Sequence, residues 1–153
     1  MCSIIAPSLA STLLQAIYKN VKMGADSTVD MIKRLSDGDL KAELGRQVAQ
    51  YEALAHEAKT ALLDMGETPR EEGLMTRMSA KAGVMMNTMI DSTPSHIAQM
   101  VIEGCAMGTS DLIKKINECE RQGGEQDCEK ARKLADRAIA FEEDCAEKMK
   151  AYL

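Results

Sequence analysis

Apolar side chains recur along this chain at alternating steps of three and four residues, and long stretches keep the pattern. From 8 to 35 the series is Ala10, Leu13, Leu14, Ile17, Val21, Gly24, Thr28, Met31, Ile32 and Leu35. At about 100° per residue these positions fall on one stripe of a single helix. Pro7 suits a helix start, and Ser36-Asp37-Gly38-Asp39 supplies a stop and a new N-cap. A second helix is expected over about 39–65, with Leu40, Leu44, Val48, Tyr51, Leu54, Ala55, Ala58, Leu62 and Met65 inward and Gly66 at its end. At 1.5 Å per residue each helix is roughly 40 Å long, and the short turn makes the pair an antiparallel αα-hairpin.

After the breaker Gly66-Glu67-Thr68-Pro69, Glu71 and Glu72 open a helix expected over about 72–90, where the helix dipole favours carboxylates. Met75, Met78, Ala82, Met86 and Met89 share one of its faces. Thr93 and Pro94 then cap the next helix, about 94–120, which buries Ile97, Val101, Gly104, Cys105, Gly108, Leu112, Ile116 and Cys119. Gly123-Gly124 makes a turn into a last helix, about 125–152, burying Ala131, Leu134, Ala138, Phe141, Cys145, Met149 and Tyr152.

The two hairpins repeat one another weakly. Met23-Gly24 matches Met107-Gly108, and Tyr51-Glu52 matches Phe141-Glu142. Two related hairpins joined by a long connection pack as a four-helix unit when the connection runs the bundle's length, so the Met-rich helix is the expected crossover. The whole chain, 1–153, is read as a single all-α domain.

This layout, with Gly66-Glu67-Thr68-Pro69 breaking the chain before a helical crossover, resembles the ferritin-like superfamily, and within it a group of bacterial four-helix proteins with a GGEP-like break at that place. The resemblance implies an antiparallel four-helix bundle built on an old di-iron scaffold. In such a scaffold each hairpin gives one Glu from its first helix and Glu-x-x-His from its second.

Residue by residue, that pattern is incomplete. The last helix offers Glu142-x-x-Cys145, with Cys in place of His, and the second offers Glu52-x-x-Ala55, with His56 one position late. Asp26, Asp30 and Glu103 point away from the inner stripes. Measured from the Gly123-Gly124 turn, Glu142 falls level with Cys105, so Cys105, Glu142 and Cys145, with Glu52 beside them, are the candidate ligands of a metal or the parts of a reactive thiol pair. The plainer reading is that unpaired Cys is a small buried hydrophobe. A buried Glu142 needs a partner, and a metal, a hydroxyl such as Tyr51, a water or its own protonation would serve; its side chain can also reach past the stripe to solvent.

Composition narrows the functions. Aromatics make up only 3 % of the chain and Met numbers twelve, so the core is built from Leu, Ile, Val, Met and Ala, which favours helices. A net charge of -5 and no basic stripe argue against nucleic acid. The apolar start, Cys2 to Leu14, is broken by Pro7 and hydroxyl residues and is neither a secretory signal nor a membrane span. Five Cys with no CxxC read as free thiols in a reducing, cytoplasmic setting. The Met face suggests copper(I) by its thioethers, but a packed helix shows the same stripe.

The expectation is therefore a non-enzymatic structural or interaction module on a ferritin-like scaffold with a degenerate metal site and no cofactor. It is expected to form a homo-oligomer or meet a protein partner through the extra apolar flank Met100, Ile102 and Met107. The alternative is a metal-binding or redox protein that uses the Cys/Glu cluster with iron, zinc or copper.

Overall fold

The computed structural model describes residues 8–70, 92–123 and 125–153. They form four α-helices, α1 (Leu9–Ile32), α2 (Asp39–Asp64), α3 (Pro94–Gly123) and α4 (Glu125–Met149), and a closing 3-10 turn at Lys150–Tyr152. Among the described residues there is no strand, and no helix is long and apolar enough to cross a membrane. The Met-rich crossover helix expected over 72–90 lies outside the described residues.

Local chemistry sets the helix ends. Ser8 caps α1 by accepting from the Ser11 backbone N–H at 3.1 Å, and Thr93 does the same for His96 at 3.3 Å. α2 closes at Gly66, whose φ of +76° suits a residue without Cβ, while the Glu67 N–H returns to the Leu62 carbonyl at 2.9 Å. Its start falls at Asp39, as expected, with Gly38 of the Ser36-Asp37-Gly38-Asp39 break as the N-cap.

Specific contacts give the helix directions. Lys22 of α1 pairs with Glu52 of α2 at 3.0 Å, and Gln15 binds the Thr68 carbonyl and the Arg70 N–H, so α1 and α2 run antiparallel. Asn20 donates to the Gly108 carbonyl at 2.9 Å, Cys119 Sγ lies 3.7 Å from the Leu9 carbonyl, and Met31 packs in one cluster with Ile97 and Ala98. α3 therefore runs antiparallel to α1, and α4 returns beside it. Arg70 and Ser92 consequently lie at opposite ends of the bundle, the geometry that a crossover requires.

Two apolar clusters fill the interior. One, around Ile17, Val21, Leu62 and Ala138, occupies the Leu9 end and the middle; the other, around Met31, Leu44, Ile97 and Met149, fills the opposite end. Each fully buried Leu or Ile contributes about 1.5–3 kcal/mol. Most of the expected stripe residues are inside, but Met65, at the end of α2, and Gly104 on α3 are exposed, and on α2 Gln47 is buried while Val48 is only half-buried. The stripe steps by three from Leu44 and by four to Tyr51. Gln47 tolerates the place because its amide reaches the Glu43 carboxylate, which also binds Arg46 at 2.6 Å.

The expectation of five free thiols is corrected. Cys119 and Cys128 form a disulfide, with Cα atoms 6.7 Å apart. Cys119 stands four residues before Gly123 and Cys128 four residues after Gly124, so the bond joins the end of α3 to the start of α4. Cys105 and Cys145 are free and buried.

Candidate functional site

The two apolar clusters meet at a polar group contributed by three helices. Tyr51 projects inward from α2, Cys105 from α3, and Glu142 and Cys145 from α4; each is at most 5 % exposed. Glu142 and Cys145 share a face because they are three residues apart on a helix. The Tyr51 ring can enter only because α1 carries Gly24 opposite it, where an added Cβ would stand 2.5 Å from the ring. Glu142 lies as closely against Gly108, whose added Cβ would meet both carboxylate oxygens at 2.7 Å. The internal repeat thus has a physical counterpart: in each hairpin a glycine on the first helix admits a large side chain from the second. Tyr51 and Phe141, the matched aromatics, meet edge to face with centroids 4.8 Å apart.

Tyr51 Oη donates to Glu142 Oε1 at 3.4 Å and lies 3.9 Å from Cys105 Sγ. Of the partners considered for Glu142, the Tyr51 hydroxyl is in place, and the side chain is buried at 3 % exposure. The thiols of Cys105 and Cys145 share one buried cluster and shift each other's ionisation. Of the four expected ligands, Glu52 is not with them. It follows Tyr51 by one residue, about 100° round the helix, so it faces solvent and pairs with Lys22. His56 is likewise exposed.

The remaining donors do not fit a metal ion. Among the described residues no group of three or more His, Cys, Asp or Glu side chains is arranged to hold one, and the phenol of Tyr51 contacts both Cys105 and Glu142.

Electrostatics divide the two thiols. The hydrogen bond from Cys145 is the largest influence on Cys105 and holds its pKa below the ordinary thiol value; burial opposes this and Tyr51 adds to it. Cys145 is pushed far up, first by that same hydrogen bond and then by burial and the charges of Cys105, Asp144 and Glu142. Of the two thiols, Cys105 is therefore the one that ionises first. Burial, followed by the charge of Glu142, also raises Tyr51, which stays a neutral phenol. Its one proton serves either Glu142 or Cys105 at a given moment.

A test follows from the signs. Because the folded pKa of Cys105 is depressed, its contribution to stability is present above the unfolded thiol value and is lost as pH falls through the lower folded value. Iodoacetamide is expected to alkylate Cys105 before Cys145, with a rate midpoint below the ordinary thiol pKa of about 8.5. Cys145→Ser and Tyr51→Phe should each move that midpoint upward. A midpoint insensitive to both, read by peptide mass spectrometry across pH, would contradict this arrangement.

The cluster borders a cavity of about 740 Å³ between α1 and α3. Cys105, Tyr51 and Glu142 reach it, while Met23, Met31, Met100 and Val101 give it apolar walls and Lys19, Lys114 and Lys115 stand along it. Cys145 lies behind Cys105 in the apolar cluster. Of the expected interaction residues, Met107 is exposed at 58 % and lines this cavity, Met100 lines it half-buried, and Ile102 packs partly onto the core. The cavity and the bond from Asn20 to the Gly108 carbonyl were not anticipated, since no pattern within one helix states its distance from the next.

Protein-family models, curated proteins and solved structures were compared with the chain, and none matches.

Proposed function

We propose that the chain is a non-enzymatic binding module on a ferritin-like scaffold with a degenerate metal site, and that it takes a small, largely apolar ligand in the cavity between α1 and α3. The carrying observation is that cavity, about 740 Å³, with methionine and valine walls; Tyr51, Cys105 and Glu142 reach it from three different helices, and Lys19, Asn20, Asp111, Lys114 and Lys115 also line it. A concave apolar site with a few convergent polar groups is the usual form of a small-molecule site, and Met side chains adapt to varied ligand shapes. The ferritin-like reading draws support from the helix directions and from Arg70 and Ser92 lying at opposite ends of the bundle. In the position of a metal centre this chain offers Tyr51, Cys105, Cys145 and Glu142. Self-association belongs to the same proposal, supported by the exposed Met107 and Ile113, and light scattering over a concentration series reads it.

Gly104 provides the test. It lines the cavity, and an added Cβ there meets no atom within 4 Å among the described residues. The fluorescence of an anilinonaphthalene sulfonate probe should rise saturably with one site per chain, and Gly104→Phe should abolish that rise while the helical circular dichroism is kept. Absence of a saturable site, or binding indifferent to Gly104→Phe, would remove the proposal.

A further inference from the structure

We propose that Cys105 reduces an organic hydroperoxide admitted by the cavity and that Cys145 then closes a second disulfide with it. The inference goes beyond binding, but it rests on the cavity reading, because the cavity is the substrate's route to the sulfur.

Three observations carry it. Cys105 lines the cavity, whereas Cys145 does not, and the two thiols share one buried cluster, near enough to shift each other's ionisation. An attacking sulfur that faces substrate and a resolving sulfur that does not is the arrangement that turns a sulfenic acid into a disulfide rather than letting it over-oxidise. Tyr51 supplies a neutral phenol 3.9 Å from the attacking sulfur and 3.4 Å from a buried carboxylate. Finally, Met23, Met31, Met100 and Val101 make the walls apolar, and the volume far exceeds one hydrogen peroxide molecule, so the complementary substrate carries a hydrocarbon group. The lowered pKa of Cys105 agrees with its role as nucleophile.

The chemistry balances in two steps. The Cys105 sulfur attacks the terminal oxygen of the hydroperoxide. A sulfur–oxygen bond forms, the oxygen–oxygen bond breaks, and the alkoxide leaves as an alcohol after receiving the thiol proton, with Tyr51 in place to relay it. Cys145 then attacks the sulfur of the sulfenic acid; the sulfur–sulfur bond forms and the hydroxyl leaves as water with the Cys145 proton. Two thiols are oxidised, and one hydroperoxide is reduced to alcohol and water.

The full chain carrying Cys2→Ser, with its Cys119–Cys128 disulfide intact, is treated with cumene hydroperoxide. Loss of both remaining thiols per chain, one cumyl alcohol per disulfide and a peptide linking Cys105 to Cys145 are expected. Cys105→Ser should lose alcohol formation, and Cys145→Ser should stop at a sulfenic acid trapped by dimedone on Cys105. Gly104→Phe should slow the reaction by about tenfold, equivalent to about 1.4 kcal/mol in the barrier. Oxidation confined to methionines, or alcohol formation unchanged in Cys105→Ser, overturns the inference; if the fluorescent probe still binds, the binding proposal survives that result. If Gly104→Phe abolishes probe binding but leaves cumene hydroperoxide oxidation at its full rate, the route through the cavity is overturned.

Discussion

Gly24→Ala is expected to destabilise the protein by about 1–3 kcal/mol, the usual cost of overpacking a close contact. The sign is informative, because Gly to Ala in an open helix interior is worth about 1 kcal/mol in the stabilising direction. At Gly24 the new methyl carbon would stand 2.5 Å from Cε1 and Cζ of Tyr51, inside any tolerable contact, and the ring has little room to yield since it is buried against Phe141. At Gly104, where the added carbon meets no described atom within 4 Å, the same substitution should be stabilising by about 1 kcal/mol. Urea unfolding of the two variants gives the comparison. In a Tyr51→Leu background the penalty at Gly24 should shrink, with a coupling of about 0.5–3 kcal/mol as expected for residues in contact. Stabilisation by Gly24→Ala equal to that of Gly104→Ala would mean that the ring does not pass against α1, and the placement of Tyr51 beside Glu142 and Cys105 would fail with it.

That contact also shows how far the amino-acid pattern carries. The inward positions of Tyr51, Cys105, Glu142 and Cys145 follow from helical periodicity, as does the role of Gly24 as a place of close approach, because both depend only on angles around one helix. Their mutual arrangement depends on distances between helices. Periodicity alone left the Tyr51 hydroxyl as one of several possible partners for Glu142, and did not reveal that Glu52, one step round from Tyr51, would be held outside by Lys22. The burial of Gln47 in preference to Val48 has a similar origin. Both fit a three-four stripe, and the choice falls to a neighbouring carboxylate, Glu43, that accepts from the Gln47 amide nitrogen. The cavity is a further step removed, being space left by the separation of α1 and α3.

Breaking the Cys119–Cys128 bond should cost about 2–3 kcal/mol, the loop-closure value for a ring this short, and in a chain of this size that lowers the melting temperature by roughly 5–10 °C. The bond closes a loop of sequence separation 9 around the Gly123-Gly124 turn. It acts mainly on the unfolded chain, whose α3 and α4 ends it keeps together. The spacing was open to inspection in the sequence: Cys128 lies one turn before Ala131 on the inner stripe, and both cysteines stand four residues from the glycine pair. An odd number of cysteines without a CxxC drew attention away from that symmetry. Cys128→Ser and Cys119→Ser should give equal losses by calorimetry, and the double variant no more than either alone, because the first substitution already removes the link. Mild reductant should reproduce the shift in the parent chain and leave the double variant unaffected. Additive losses from the two single variants would show that each side chain contributes by its own packing, and that the turn between α3 and α4 is not held by a covalent bond.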